Sequence, residues 1–203
     1  AIGYGACGAT TEGYNCTAVG RDALATQTTS GNNTAVGYEA LKLNTTGTSN
    51  VAFGSGAGDA ITTGSYNIAL GNNSISSVTT DNYNVSVGTN AMIYTTASNN
   101  TAVGHEALEG SSGNSTGGNN VAVGMRALEA NTTGSSNVAV GKLALNDNTT
   151  GSKNVAIGYN SAAALTTGSS SNTAVGYQTL NAGQDGLNNN TAIGYRALYS
   201  QTG

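Results

Sequence analysis

Apolar and polar positions along this chain follow one pattern that returns about every 17 residues. The segment NNTAVGYEAL fills residues 32–41, and close variants fill residues 99–108, 119–128 and 189–198. A glycine closes the central apolar pair of each unit, and successive glycines are 17, 17, 17, 17, 17, 16, 20, 17, 17, 18 and 18 residues apart. These twelve motif glycines are Gly3, Gly20, Gly37, Gly54, Gly71, Gly88, Gly104, Gly124, Gly141, Gly158, Gly176 and Gly194.

The residues before each motif glycine predict a short β-strand. Two positions before the glycine stands Ala, replaced once by Ser86, and three positions before it stands Thr, Val or Ile, which we call the β-branched column. One position before the glycine the residue is always bulky and apolar. Such residues favour strands. This bulky column comprises Val19, Val36, Phe53, Leu70, Val87, Val103, Val123, Val140, Ile157, Val175 and Ile193.

A second apolar pair follows most motif glycines at positions three and four, as at Ala40 and Leu41, and predicts a second short strand. Unit length varies only after this pair, for example within residues 110–118, which indicates a surface loop. A glycine-containing unit of this length leaves no room for two helices. We therefore predict an all-β fold: a parallel β-solenoid (β-roll) with coils of about 17 residues. Twelve motifs stacked at about 4.8 Å would form a rod roughly 55 Å long.

An Asn stands four positions before the motif glycine in ten successive units. Stacked amide side chains can hydrogen-bond to those above and below, so we predict a structural Asn ladder along the rod. Its members are Asn33, Asn50, Asn67, Asn84, Asn100, Asn120, Asn137, Asn154, Asn172 and Asn190.

The Ala column and the bulky column are adjacent in sequence, and this predicts self-association. Neighbouring strand residues point to opposite faces, so a thin coil that buries Ala leaves the bulky column outside. Eleven such side chains in the open would form a larger apolar stripe than a soluble monomer usually shows. We expect the bulky column to be the interface of a homo-oligomer. A closed three-fold arrangement hides the stripe on every copy, which favours a parallel trimer.

Composition limits the remaining partners. The chain has 30 Gly, no Pro, 8% charged residues and a net charge of -4. Six basic residues are too few for the basic face that nucleic acid needs. The chain has no run of 18 apolar residues, so we expect no membrane insertion. The chain opens in mid-motif without Met, so we expect residues 1–203 to be a single repeat domain within a longer fibrous protein.

The strings KNVAIG at residues 153–158 and SNVAVG at residues 136–141 resemble the head repeats of trimeric autotransporter adhesins. The TAVGYxAL pattern is similar to repeats of phage and bacterial tail-fibre-like proteins, and the resemblance covers all twelve units. It implies a left-handed β-roll of three chains wound side by side, displayed outside a cell or on a virion. The adhesin repeat is shorter, whereas this unit has a longer outer loop.

Features that resemble chemical sites have simpler explanations. GYGACG at residues 3–8, with Asp22, has the spacing of a dinucleotide fingerprint, but that motif requires a helix, and Gly3 is a motif glycine. His105, the only His, takes a variable position after a motif glycine. No Ser-His-Asp constellation is indicated, so we expect no enzyme and no cofactor. Five Asp residues share no column, so we expect no metal array: Asp22, Asp59, Asp81, Asp147 and Asp185.

Two further features concern covalent modification. Cys7 and Cys16 are either buried free thiols or a disulfide that staples the first coil, and we favour free thiols because their columns lie at opposite ends of the predicted strands. Glycosylation requires a host with the machinery. The Asn-x-Ser/Thr sequons are at Asn15, Asn32, Asn44, Asn72, Asn84, Asn99, Asn114, Asn131, Asn148 and Asn189.

The repeat therefore indicates a structural segment of an extracellular or virion surface fibre, a rigid spacer that also offers an adhesion surface for a host glycan or protein. The alternative is an ice-binding solenoid, because Thr pairs recur eight and nine positions after the motif glycine. These Thr pairs border the variable loop, which disfavours a flat ice-binding face. The pairs are Thr45-Thr46, Thr62-Thr63, Thr132-Thr133, Thr149-Thr150 and Thr166-Thr167.

Overall fold

The computed structural model describes residues 1–9, 11–111, 115–181 and 185–199. Within these ranges there are eleven strands of three residues, and each ends directly before a motif glycine, from Gly20 to Gly194. The strands are β1 (Thr17–Val19), β2 (Thr34–Val36), β3 (Val51–Phe53), β4 (Ile68–Leu70), β5 (Val85–Val87), β6 (Thr101–Val103), β7 (Val121–Val123), β8 (Val138–Val140), β9 (Val155–Ile157), β10 (Thr173–Val175) and β11 (Thr191–Ile193).

All eleven strands form one parallel sheet in sequence order. The register is that of the repeat: Ala18 lies opposite Ala35, and Val19 opposite Val36, with the same pairing of columns at every step. At the first motif glycine, Ile2 forms an isolated bridge to Val19. The predicted all-β parallel solenoid is confirmed, and its ten strand spacings span about 48 Å.

The predicted second strand is wrong, because the Ala-Leu pairs lie in turns. Leu41 has a φ of 49° and Leu108 a φ of 47°, both in the left-handed region. The amide of Leu41 still donates to the carbonyl of Ala57 in the next coil at 3.0 Å. The coils therefore keep a ladder of hydrogen bonds here without extended backbone, and the left-handed residue turns the Leu side chain inward.

The core is a thin stack of small residues and Leu. The Ala of each strand is almost completely buried, and so are the two residues three and four positions after each motif glycine from Gly20 to Gly176, as at Ala40 and Leu41. The corresponding pairs of the two end coils are only partly buried. The Asn column is buried beside them from Asn33 to Asn172, and Asn190 is half-buried. The interior is therefore mainly apolar, with a minority of buried amides, and a single layer of coils can fill it with small and medium-sized side chains. Within the described ranges no helix has the length and apolar character needed to cross a membrane.

The motif glycines are required by close stacking of the coils. Gly124 has a φ of 129°, and a Cβ atom added to it would lie 2.6 Å from the carbonyl carbon and oxygen of Gly141. The same approach recurs between motif glycines from Gly3 to Gly176. Real Cβ atoms are not found so close to backbone, so any side chain here would push the coils apart.

Candidate interaction surface

One side of the solenoid is an unpartnered sheet surface. In every strand the central residue is buried while its two neighbours are exposed or half-buried, because side chains alternate between the two faces. The outward side chains form two columns, which we call together the strand face. One is the bulky column. The other is the β-branched column, Thr17, Thr34, Val51, Ile68, Val85, Thr101, Val121, Val138, Val155, Thr173 and Thr191.

All eleven predicted interface residues of the bulky column lie on the strand face. Phe53, Ile157 and Ile193 are the most open, with 60%, 41% and 69% of their surfaces exposed. The β-branched column also lies on this surface, although the predicted interface includes only the bulky column. Its signal was in the sequence, since residues on both sides of a buried Ala must share the outer face.

Stacked tyrosines border the strand face. Tyr159, Tyr177 and Tyr195, each one position after a motif glycine, stack with ring centroids 5.4 and 5.3 Å apart. Tyr66 and Tyr83, each five positions before a motif glycine, stack at 5.2 Å. All five are exposed. The solenoid spacing thus lines up aromatic rings wherever successive units carry Tyr in one column, and the stacks remain exposed.

The Asn column forms a continuous ladder inside the rod. The backbone N–H of each Asn from Asn50 to Asn190 donates to the Oδ1 atom of the preceding Asn, at 2.8–3.0 Å. Except at Asn84, whose Nδ2 group is buried without a partner, the Nδ2 group donates to a carbonyl, as from Asn120 to Gly134 at 2.9 Å. Four steps of the ladder also have the predicted bond between side-chain amides, at 3.0–3.2 Å, while the bond present at every step runs from backbone N–H to side-chain oxygen. The buried position of these amides suits this structural role.

The Thr pairs do not offer two free columns of hydroxyl groups. In three of the five pairs the first Thr donates its hydroxyl to a carbonyl of the next coil, as from Thr45 to Thr62 at 3.1 Å and from Thr132 to Thr149 at 2.9 Å. In the other two pairs the first Thr hydroxyl bonds to a side chain of the next coil, Thr149 to Thr167 and Thr166 to Asp185. The second Thr, for example Thr46 or Thr133, is exposed. This edge of the coil therefore presents one open Thr column.

Charged groups gather around one arginine near the middle of the rod. The carboxylates of Glu106, Glu109 and Glu129 lie within 4.8 Å of one another. Arg126 Nε lies 2.6 Å from Glu106 Oε2 and 3.6 Å from Glu129 Oε1. Burial, and then the charges of Glu106 and Glu129, raise the pKa of the Glu109 carboxyl. Carboxylates at this spacing are a ligand type for divalent cations, but Arg126 already supplies positive charge between them.

The other residues considered as chemical sites in the sequence are residues 3–8, His105, Cys7 and Cys16. Residues 3–8 lie in turns after a motif glycine rather than at the start of a helix. The His105 side chain is 52% exposed, with Nδ1 3.5 Å from Glu106 Oε2. Cys7 and Cys16 are free and half-buried, and Gln27 Nε2 donates to Cys16 Sγ at 3.0 Å. Among the residues that the structure describes there is no pocket.

The sequon asparagines fall into two groups. Some are exposed and accessible to modification, namely Asn15, Asn32, Asn72, Asn99 and Asn189. Others are completely buried, namely Asn44, Asn84, Asn131 and Asn148. Asn114 lies outside the described residues. A folded chain can therefore carry glycans only at the first group among the described sequons.

Asp59 is the carboxylate that burial perturbs most clearly. Its Oδ1 atom is buried without a hydrogen-bond partner, and burial raises the pKa of the carboxyl despite a hydrogen bond from Ser76. A raised pKa in the folded state means that the burial penalty is absent below the unfolded pKa of about 4 and grows as the pH rises through the folded pKa. The charged form at neutral pH therefore destabilises this coil.

We expect Asp59→Asn to stabilise the chain at pH 7, because it removes a buried charge. The gain should be about 1 kcal/mol, or about 2–4 °C in Tm, and should vanish near pH 3, where Asp59 is protonated in both states. Thermal melts followed by circular dichroism at the two pH values measure it. Glu12→Gln, at an exposed carboxylate, is the control and should change little. An equal gain at both pH values would contradict the assignment to charge burial.

Comparison of the chain with protein-family models, with curated proteins and with solved structures found no match.

Proposed function

We propose that this chain is a rigid spacer segment of an extracellular or virion surface fibre and carries out no catalysis. The observation that supports the proposal best is the uninterrupted sheet: eleven strands joined in constant register from Thr17 to Ile193. Each junction from Asn33 to Asn190 is also bridged by an Asn hydrogen bond inside the rod. A solenoid whose coils contact only their neighbours gains length with each repeat and keeps one cross-section, which is what a spacer needs.

The repeat motifs resemble those of adhesins and tail fibres, and this resemblance also supports the role of a fibre segment. Display outside a cell or on a virion, three copies side by side, and adhesion to a host glycan or protein stay predictions. The exposed tyrosine stacks at Tyr159–Tyr195 and at Tyr66 and Tyr83 are the aromatic surface that such an adhesion contact would use.

The spacer role predicts that length follows coil number. Residues 121–137 are one full unit of 17 residues. Inserting three extra copies after residue 137 should lengthen the rod by about 14 Å without lowering Tm. Small-angle X-ray scattering measures the longest dimension. Inserting residues 121–129 alone is the control, because part of a unit breaks the register and should destabilise the rod. An unchanged length after the full insertion would argue against a spacer.

Ice binding is the second candidate, and one observation favours it. The strand face carries the β-branched column in constant register along one continuous sheet, with Thr17, Thr34 and Thr101 among its members. A periodic column on a sheet is better suited to an ice lattice than the Thr pairs, which border a loop of variable length. Thermal hysteresis of the purified chain tests this candidate directly, and its absence would remove ice binding.

A further inference from the structure

Two exposed phenol rings lie against each other on adjacent coils, at Tyr66 and Tyr83, which we call the tyrosine pair. The ring centroids are 5.2 Å apart, and the ring planes are within 8° of parallel. Both side chains are open to solvent, with 53% and 59% of their surfaces exposed. The pair therefore places two oxidisable side chains next to each other where a dissolved reagent can reach them.

The backbone of the two coils keeps the tyrosine pair together. Tyr66 and Tyr83 have φ values of 59° and 60°, so the two residues share one left-handed turn conformation. The Tyr66 amide donates to Thr48 O at 3.0 Å. The Tyr83 amide donates to Ser65 O at 3.2 Å. Because these bonds hold each tyrosine to the preceding coil, the rings stay neighbours while their own side-chain torsions rotate.

Neighbouring phenols join when each loses one electron and one proton to an oxidant. The phenoxyl radical that results carries its unpaired electron on the oxygen and on the ring carbons beside the C–O carbon, which include both Cε atoms. Two such radicals form a Cε–Cε bond, and the hydrogen on each bonded carbon moves to the phenol oxygen of its own ring. With a haem peroxidase and hydrogen peroxide, the peroxide takes up the two electrons and two protons and leaves as two water molecules.

The three-ring stack from Tyr159 to Tyr195 is less suited to this reaction. Lys142 Nζ lies 6.0 Å from the ring centroid of Tyr159, and Arg196 Cζ lies 5.8 Å from that of Tyr195. A cation over a ring attracts its π electrons, so removing one of them becomes harder. Within the described part of the chain, no cation lies over either ring of the tyrosine pair. The tyrosine pair is therefore the more readily oxidised of the two stacks.

We propose that the tyrosine pair is a site of oxidative crosslinking, at which a peroxidase and hydrogen peroxide couple Tyr66 to Tyr83 as dityrosine. The bond joins two adjacent coils covalently, in a solenoid whose coils are otherwise held to their neighbours by hydrogen bonds and packing. It also closes a loop of one repeat unit in the unfolded chain, which lowers the entropy of that state. The proposal concerns a covalent modification and does not depend on the spacer role.

Treatment of the folded chain with a haem peroxidase and hydrogen peroxide in dilute solution tests the proposal. We expect dityrosine fluorescence from a chain that stays at 20.0 kDa under denaturing conditions. Cleavage before Asp81 separates Tyr66 from Tyr83 in sequence, so mass spectrometry identifies the bond as a covalent link between the two peptides. The bond should also raise Tm by about 6–12 °C.

The same digest compares the tyrosine pair with other tyrosines. The link from Tyr66 to Tyr83 should exceed links from Tyr38, which lies against Arg21 instead of a second tyrosine, by at least about a hundredfold. Adjacent rings have a far higher effective concentration than rings on separate molecules, which explains this difference. Links within the three-ring stack should form more slowly, and faster coupling there would overturn the choice of the tyrosine pair.

Two conservative variants separate coupling from stacking. Tyr66→Phe keeps a stacked ring but removes its phenol group, so it should abolish both the link and the rise in Tm. Tyr38→Phe removes an exposed phenol outside the stacks and is the matched control, which should change neither. Oxidation that leaves Tyr66 and Tyr83 unlinked, or that joins separate copies instead, overturns the proposal. Equal coupling in a chain unfolded by guanidinium also overturns it, because stacking would then contribute nothing.

Discussion

Gly124→Ala is expected to destabilise the solenoid by about 3 kcal/mol or more, and to lower Tm by about 6–12 °C. The added methyl group would meet the backbone of Gly141 at 2.6 Å, and the φ of 129° is one that L residues with side chains rarely adopt. Backbone in a neighbouring coil cannot move aside, because the hydrogen bonds on both sides of the glycine fix the coil spacing. The gap must open, and the ladder bonds near it must lengthen or break.

Gly194→Ala is the matched control for this experiment. Gly194 has a φ of 118°, but an added Cβ atom would meet nothing within 4 Å. The control thus carries the backbone strain without the collision between coils, and its Tm should fall clearly less. Thermal melts of both variants by circular dichroism give the comparison. Equal losses would show that strain alone makes the motif glycines necessary, and that close stacking of the coils contributes nothing.

Asn120→Ala is expected to cost about 3 kcal/mol, because it removes three buried hydrogen bonds at once. Asn120 Oδ1 accepts the backbone N–H and the Nδ2 group of Asn137 at 2.9 and 3.2 Å, and Asn120 Nδ2 donates to Gly134 O at 2.9 Å. Ala supplies neither group, so the Asn137 amide is left in the interior without this acceptor. We expect hydrogen exchange at Asn137 to become faster than in the wild type, together with a lower Tm.

Asn72→Ala is the control for the ladder. Asn72 is exposed, and its Nδ2 group donates a single hydrogen bond, to Ser55 O at 3.1 Å. Water can replace that partner, so the free energy of unfolding should change by less than about 0.5 kcal/mol. If Asn120→Ala is as mild as the control, or if Asn137 remains equally protected from exchange, the Asn column does not hold the coils together.

Much of the fold can be read from the repeat, because one unit determines all of them. The Ala of each strand, for example Ala35, is predicted to be buried by its place between two larger residues, and the structure buries it. The second strand at Ala40 and Leu41 was not predictable in this way. Apolar residues there indicate burial, but burial in a left-handed turn and burial in a strand have the same hydrophobic pattern over two residues.

The candidate site was predicted only in part for a related reason. The bulky column follows from alternation along a strand, which is a local property of extended backbone. The hydroxyl of Thr45, in contrast, is taken up by a carbonyl of the next coil, 17 residues away, and nothing local to Thr45 shows this. The same holds for the unpaired Oδ1 atom of Asp59.

The sequence by itself therefore determined the period of the solenoid, the position of each strand and which strand residues face outward, because each of these follows from residue type and from the geometry of a single unit. The tertiary structure alone decided which turn residues enter the core, how the amides of Asn33 to Asn190 are bonded, and why the motif glycines admit no side chain. Those features depend on the distance between one coil and the next. That distance is set by hydrogen bonds between units, and it exists only once the coils are stacked.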